Sequence, residues 1–155
     1  MAKLRVLVQT ADFVPGQLQQ TLLTGDHGEG AVAAFTGYVR ANNEDRGVSR
    51  MLMEHYPGMT EKSIEATLQE AAGRWPLIAA AAVHRVGELA PGDQIVWVGV
   101  SSRHRGAAFD ACEYIMDYLK TRAPFWKKEI GPDGEHWVQA RDTDSERASR
   151  WQLPE

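Results

Sequence analysis

The sequence has 155 residues, of which 43% are hydrophobic and 25% charged, the size and composition of one globular domain. A formal net charge of −4 excludes the basic balance typical of nucleic-acid-binding domains, and no apolar run reaches the roughly 18 residues that span a membrane. The opening apolar run is too short for a signal peptide, and a single cysteine, Cys112, indicates a reducing compartment. We therefore expect one cytoplasmic domain over residues 1–155 that binds neither nucleic acid nor membranes.

Alternating apolar and polar residues mark the strands of the N-terminal half. This alternation, or a short apolar run between turn residues, predicts three strands, over residues 4–8, 31–39 and 48–56. Pro15 and Gly16 are expected to end the first strand, and a short leucine stripe predicts a helix to about Thr24. The polar run over residues 41–47 predicts a mobile loop.

Two longer helices are predicted from apolar residues spaced three or four positions apart, over residues 59–75 and 105–122. Thr60 is expected to cap the first helix, and Pro124 to stop the second. Four more strands, the last two forming a hairpin, are predicted over residues 77–86, 94–101, 125–130 and 136–140. A polar tail from about residue 141 to residue 155 closes the chain.

This order of elements mixes hairpins with helical crossovers. A doubly wound fold would alternate strands and helices strictly, so we predict an α+β domain instead. The expected architecture is a single domain with a mixed, largely antiparallel sheet and about three helices.

Cationic residues concentrate around the second long helix. Six of them fall within 26 positions: Arg103, Arg105, Lys120, Arg122, Lys127 and Lys128. Such a site on an acidic body suits a small anionic ligand or a carboxylate of a partner. His104 and Arg105 stand where a helix begins, and the backbone N–H groups there favour a phosphate. For any one of these residues alone, and for Lys120 in a last helical turn, a solvated or dipole-stabilising charge is the simpler interpretation.

Several other side chains have a structural interpretation. Cys112 lies on the apolar stripe of the same helix, which predicts a buried small hydrophobe rather than a nucleophile. Trp126 and Trp137 are more typical of a core than of a ligand stack. In a strand, Lys127 and Lys128 point to opposite faces, so at most one faces a given pocket. The five histidines lack metal-ligand spacing, and we predict neither a metal site nor a cofactor.

Six segments between about Val32 and Trp137 follow one another with a specific spacing. They are Phe35–Arg40, Glu54–Met59, His84–Leu89, Val98–Arg105, Asp117–Lys120 and Pro124–Glu129. In order and spacing these segments resemble the molybdopterin synthase large-subunit family. The resemblance implies an α/β-hammerhead-like fold with a small β subdomain.

The resemblance also implies a function, that of a sulfurtransferase in molybdenum cofactor biosynthesis. Such an enzyme converts cyclic pyranopterin monophosphate to molybdopterin, taking the two sulfurs of the dithiolene from the thiocarboxylated C-terminus of a small ubiquitin-like subunit. By the same resemblance, Lys120 and Lys127 are expected to be catalytic. The residues expected to contact the substrate are Tyr38, Val39, Arg40, His104, Arg105, Lys128 and Glu129.

His104 and Lys120 are sixteen positions apart, about 24 Å along an unbroken helix at ~1.5 Å per residue. Both cannot touch one small pterin, so we expect a site shared between two copies in a homodimer. With two small subunits this dimer forms a heterotetramer, as the resemblance implies. Two alternatives stay open: a phosphate-binding adaptor without turnover, and a cysteine-dependent hydrolase that uses Cys112.

Overall fold

Ten strands and four helices form within residues 1–44, 46–138 and 142–152, which the computed structural model describes. The strands are β1 Lys3–Gln9, β2 Ala31–Tyr38, β3 Asn42–Asn43, β4 Arg46–Gly47, β5 Arg50–His55, β6 Leu77–Arg85, β7 Gly87–Leu89, β8 Gln94–Ser102, β9 Phe125–Gly131 and β10 Gly134–Val138. The helices are α1 Pro15–Gln20, α2 Met59–Arg74, α3 Arg105–Thr121 and α4 Asp142–Ser149. None of these helices is long and apolar enough to cross a membrane.

The strands form two four-stranded sheets and one short ladder. The first sheet has the order β1-β6-β8-β2, in which β1 runs parallel to β6 and the other neighbours are antiparallel. The second sheet has the order β10-β9-β5-β7 and is antiparallel throughout. β3 pairs with β4 alone. The predicted α+β fold with a mixed, largely antiparallel sheet is confirmed.

The first sheet is covered on both faces, because side chains alternate along its inner strands. Ala80 and Ala82 of β6 face α2 and α3, whose buried Leu68 and Ile115 belong to the same core cluster. The residues between them on β6 face the other way and pack with Trp97 and α1-flanking residues. The small alanines of β6 let α2 pack closely on the sheet, whereas α3 lies over β8 and β2.

Two helix starts differ from the prediction. Pro15 begins α1 rather than ending β1, because its fixed φ and missing N–H suit a first helical turn, and α1 ends at Gln20. Gly58, with φ of 87°, holds the capping position of α2 instead of Thr60. The Thr60 hydroxyl lies one position inside the helix and donates to the carbonyl of Pro124 at 2.9 Å, which joins α2 to the start of β9.

The region predicted as a mobile loop is a short ladder, and the prediction was wrong for its described residues; Asp45 lies outside them. Contacts with Glu129 of β9 explain why this segment forms a ladder. Its buried carboxylate accepts a hydrogen bond from the Asn43 amide at 2.8 Å and lies 3.6 Å from the Arg46 guanidinium. A second short strand, β7, occupies part of the turn predicted between β6 and β8.

The C-terminal region contains a helix where a polar tail was predicted. Trp151 packs edge-on against Trp75 at 5.5 Å and donates from Nε1 to the buried Asp117 carboxylate at 2.7 Å. This contact holds α4 against α3. Residues 139–141 and 153–155, which include the predicted end of the last strand and both ends of the tail, lie outside the described residues. The expectation that Trp126 and Trp137 fill a core was also wrong, since they are 47% and 56% exposed.

Candidate functional site

A cavity of about 310 Å³ lies where the two sheets meet beside the C-terminal end of α3. Strands of both sheets, the β3–β4 ladder, α3 and α4 all contribute to its wall. Its cationic side chains are Arg40, Lys120 and Lys127. The structure therefore gathers three cations from distant parts of the sequence around one small space.

The two lysines reach the cavity from different elements. Lys120 lies in the last turn of α3 and is exposed, whereas Lys127 is half-buried on β9. Lys128 lies on the opposite face of β9, as the strand period predicts; its ammonium is 3.3 Å from Glu135 and 4.8 Å from the centre of the Trp137 ring. Lys127, and not Lys128, lines the cavity.

The end of β2 positions Tyr38 and Arg40. The backbone of Val39 between them is fixed by two hydrogen bonds, from its N–H to the Asp93 carbonyl at 2.9 Å and from the Gly92 N–H to its carbonyl at 2.8 Å. The Val39 side chain is buried in a separate apolar cluster with Met51 and Met53. Val39 thus belongs to the core, while its two neighbours line the cavity.

Glu129 lines the cavity from the same face of β9 as Lys127. Glu129 is 6% exposed, and its carboxylate binds Asn43 and Arg46, as described above. Glu129 therefore anchors the β3–β4 ladder at the cavity wall, a structural contribution that the sequence did not reveal.

His104 and Arg105 lie at the opposite end of α3. His104 directly precedes the helix, Arg105 is its first residue, and both are exposed. α3 is unbroken over 17 residues, which corresponds to about 25 Å. Neither residue lines the cavity, so a single chain brings Tyr38, Arg40, Lys120, Lys127 and Glu129 together and leaves His104, Arg105, Val39 and Lys128 outside.

A groove of about 560 Å³ runs beside the cavity, between α3 and β2. β2 is an edge strand of the first sheet. Two large apolar side chains of this groove, Phe35 and Phe109, are 43% and 64% exposed. Lys120 and Met116 line both the groove and the cavity, so the two spaces meet at Lys120.

His84 is a cavity residue to which sequence reasoning gave no role. It is the second-last residue of β6, its ring stacks on Phe125 with centroids 3.9 Å apart, and Nδ1 lies 2.8 Å from the carbonyl oxygen of Arg85. Burial of the ring, and to a smaller degree the nearby charges of Lys120, His55 and Lys127, lower the pKa of His84 to about 4. The sequence did contain one signal for this residue, because His84 is a polar side chain at the end of the apolar alanine run that forms β6.

Cys112 is buried on α3, as predicted, and its Sγ lies 3.7 Å from the carbonyl of Val98. Burial raises the pKa of the Cys112 thiol to about 12. The thiolate needed by a cysteine nucleophile is therefore scarce at neutral pH, which disfavours the hydrolase alternative. Within the part of the chain that the structure describes, no group of three His, Cys, Asp or Glu side chains is placed to hold a metal ion.

Comparison with known proteins identifies the family. The family model for the MoaE protein matches residues 8–122. The chain belongs to the MoaE protein family. Within this family, the molybdopterin synthase catalytic subunit of Salmonella typhimurium is 52% identical over 97% of this chain and 100% of its own length.

Solved structures of MoaE proteins have the same fold. The molybdopterin biosynthesis MoaE protein from Burkholderia ambifaria superposes with a TM-score of 0.82 at 51% identity, covering 99% of this chain and 100% of its own. Molybdopterin synthase from Staphylococcus aureus gives a TM-score of 0.80 at 33% identity, covering 86% of this chain and 96% of its own. The resemblance to this family seen in the sequence is confirmed.

Proposed function

We propose that this chain is the catalytic subunit of a molybdopterin synthase, which converts cyclic pyranopterin monophosphate to molybdopterin. The observation that carries the proposal is the convergence of Lys120, Lys127 and Arg40 on one cavity in a chain of the MoaE family. A volume of about 310 Å³ is at the lower end of small-molecule sites and suits one compact ring system. The cations suit its phosphate and the charge that develops during sulfur transfer.

The sulfur arrives on a partner. A small ubiquitin-like subunit presents a C-terminal thiocarboxylate, so this chain needs cations and a shaped pocket rather than a thiol of its own. The buried, protonated Cys112 agrees with that division of roles. We also place the protein in the cytoplasm, where a free cysteine stays reduced.

Lys120 and Lys127 are the catalytic residues in this proposal. Once the thiocarboxylate sulfur is bonded to the pterin, Lys120 either transfers a proton while water attacks the acyl carbon, or attacks that carbon itself as an amine. In both cases the acyl C–S bond breaks and the sulfur stays on the pterin; in the second case the amine loses a proton and water later hydrolyses the amide that forms. Lys127 stabilises negative charge developing on oxygen or sulfur. Lys120 is exposed in the single chain, so its surroundings become dry only when other components cover it.

A second copy of the chain completes the site. If β2 pairs with its symmetry-related copy in antiparallel orientation, the Ala31 end of one strand meets the Tyr38 end of the other. The start of α3 lies at the Ala31 end, because Ala31 pairs with Ser102 and Gly30 donates to the Ser102 carbonyl at 3.0 Å. The second copy's His104 and Arg105 then approach Arg40 and Lys120. Such a dimer also covers Phe35 and Phe109, and with two small subunits it forms a heterotetramer.

Product formation tests the proposal. Purified protein is incubated with thiocarboxylated small subunit and cyclic pyranopterin monophosphate, and molybdopterin is oxidised to a fluorescent derivative for detection. We expect product with the thiocarboxylate and none with the unmodified small subunit. Binding of both components without product would support the adaptor alternative instead.

A further inference from the structure

His84 has one fixed tautomer. A carbonyl oxygen only accepts hydrogen bonds, so the contact of 2.8 Å between Nδ1 and the Arg85 carbonyl requires the proton on Nδ1. Nε2 therefore carries the lone pair. Within the described residues no hydrogen bond reaches Nε2, although the ring lines the cavity.

The ring is also held rigidly and stays neutral. Stacking on Phe125, with an interplanar angle of 21°, sets its orientation, and Phe125 begins the strand that carries Lys127. Lys120 of α3, Lys127 of β9 and His55 of β5 are the charged or titratable groups whose fields oppose protonation of His84. Burial acts in the same direction and more strongly, so Nε2 remains an acceptor at neutral pH.

A neutral hydrogen-bond acceptor in the cavity wall can bind a different part of a ligand from the part that the cations bind. Arg40, Lys120 and Lys127 are donors that attract the anionic parts of a ligand. The cyclic phosphodiester of the precursor and carboxylates carry no proton at neutral pH, whereas a pterin ring carries N–H groups. The opposite chemistry of His84 and the lysines therefore distinguishes the ring of the ligand from its phosphate.

We propose that His84 is a specificity-determining residue whose Nε2 accepts a hydrogen bond from a ring N–H of the bound pterin. This assignment rests on the proposed function and adds a ring-recognition contact to it. His84 is not the general base of the reaction, because an imidazole that binds a proton so weakly is a poor acceptor of one at neutral pH.

Two variants distinguish the contribution of the Nε2 acceptor to ligand binding from that of the stacking on Phe125. His84→Phe keeps an aromatic ring against Phe125 and removes the acceptor, whereas His84→Gln keeps an acceptor oxygen near the position of Nε2 and removes the ring. Binding of cyclic pyranopterin monophosphate is measured by calorimetry without the small subunit, so that no turnover occurs. We expect roughly tenfold weaker binding for His84→Phe, the usual cost of one lost hydrogen bond to a desolvated group, and a smaller loss for His84→Gln. Binding of inorganic phosphate should be unchanged in both.

Nitrogen NMR of the wild-type protein, with its histidines labelled with ¹⁵N, tests the same contact and does not depend on whether a variant folds. We expect the Nε2 resonance of His84 to move upfield when the precursor binds and to stay in place when phosphate binds. If the wild type does not bind the precursor, the proposed function is contradicted and the assignment with it. If the wild type binds, but His84→Phe binds equally well or the Nε2 resonance does not move, only the assignment is overturned.

Discussion

At the scale of single residues, the cavity combines side chains with different protonation behaviour. Lys120 and Lys127 supply positive charge, Glu129 is a buried carboxylate with two partners, and His84 is a neutral acceptor. The opposite orientation of Lys127 and Lys128 followed from strand geometry alone, and so did the burial of Cys112 from the helical stripe. The role of His84 could not be predicted, because it depends on a stack with Phe125, which is 41 positions later in the sequence.

Replacement of Lys120 by alanine should lower turnover by about 100-fold or more, because the group that moves a proton or attacks the acyl carbon is lost. The melting temperature should change little, since Lys120 is exposed. Lys62→Ala removes another exposed lysine, on α2 and outside the cavity, and serves as the matched control. Turnover is measured with saturating small subunit. A fully active Lys120→Ala enzyme would contradict the assignment.

The low pKa of His84 makes stability depend on pH. Its ordinary pKa of 6.5 falls to about 4 in the folded protein, so between these values the unfolded chain binds more protons. Stability should therefore fall as pH is lowered through 6.5 toward 4, with a total contribution of about 3 kcal/mol from this residue. Urea unfolding of the wild type and of His84→Phe over this range measures the difference. A difference between the two proteins that does not change with pH would rule out this coupling.

At the scale of elements, the longer strands and helices were predictable, and the short ones were not. β3, β4 and β7 have two or three residues each, too few to show a period, and they form because other strands and Glu129 offer partners. α4 was missed because its sequence is almost wholly polar and, among its side chains over residues 143–149, only Ala148 is buried. Its position depends on Trp151 and Asp117, a contact between residues 34 positions apart.

Trp151→Ala should lower the free energy of unfolding by about 2 kcal/mol, because the indole packs against Trp75 and Tyr114 and bonds the Asp117 carboxylate. Trp137→Ala is the matched control. Its ring is 56% exposed and lies under the Lys128 ammonium, so the loss there should stay below about 1 kcal/mol. Chemical denaturation measures both. Equal losses would show that Trp151 does not anchor α4.

At the scale of the whole molecule, the residues expected at the site divide into two groups at opposite ends of α3. The length of this helix, about 25 Å, was predictable from the sequence and is the reason why we expect a second copy to contribute to the site. The surface for that copy was not predictable, because the exposure of Phe35 and Phe109 beside the edge strand β2 depends on the order of strands in the sheet. In one chain, the residues expected at the site thus lie in two separate groups. Pairing of the surface around Phe35 and Phe109 with a second copy would bring the two groups together.

The most direct test of this account mixes two inactive variants. Lys120→Ala and His104→Ala chains are unfolded together, refolded to allow exchange, and assayed for molybdopterin with the thiocarboxylated small subunit. In a shared site each mixed dimer has one intact site of two, and half of the dimers are mixed, so activity should return to about a quarter of the wild-type value. The control mixture of Lys120→Ala with Lys127→Ala should stay inactive, because both lysines come from the same chain. An inactive Lys120→Ala and His104→Ala mixture, with dimers formed, would contradict the shared site.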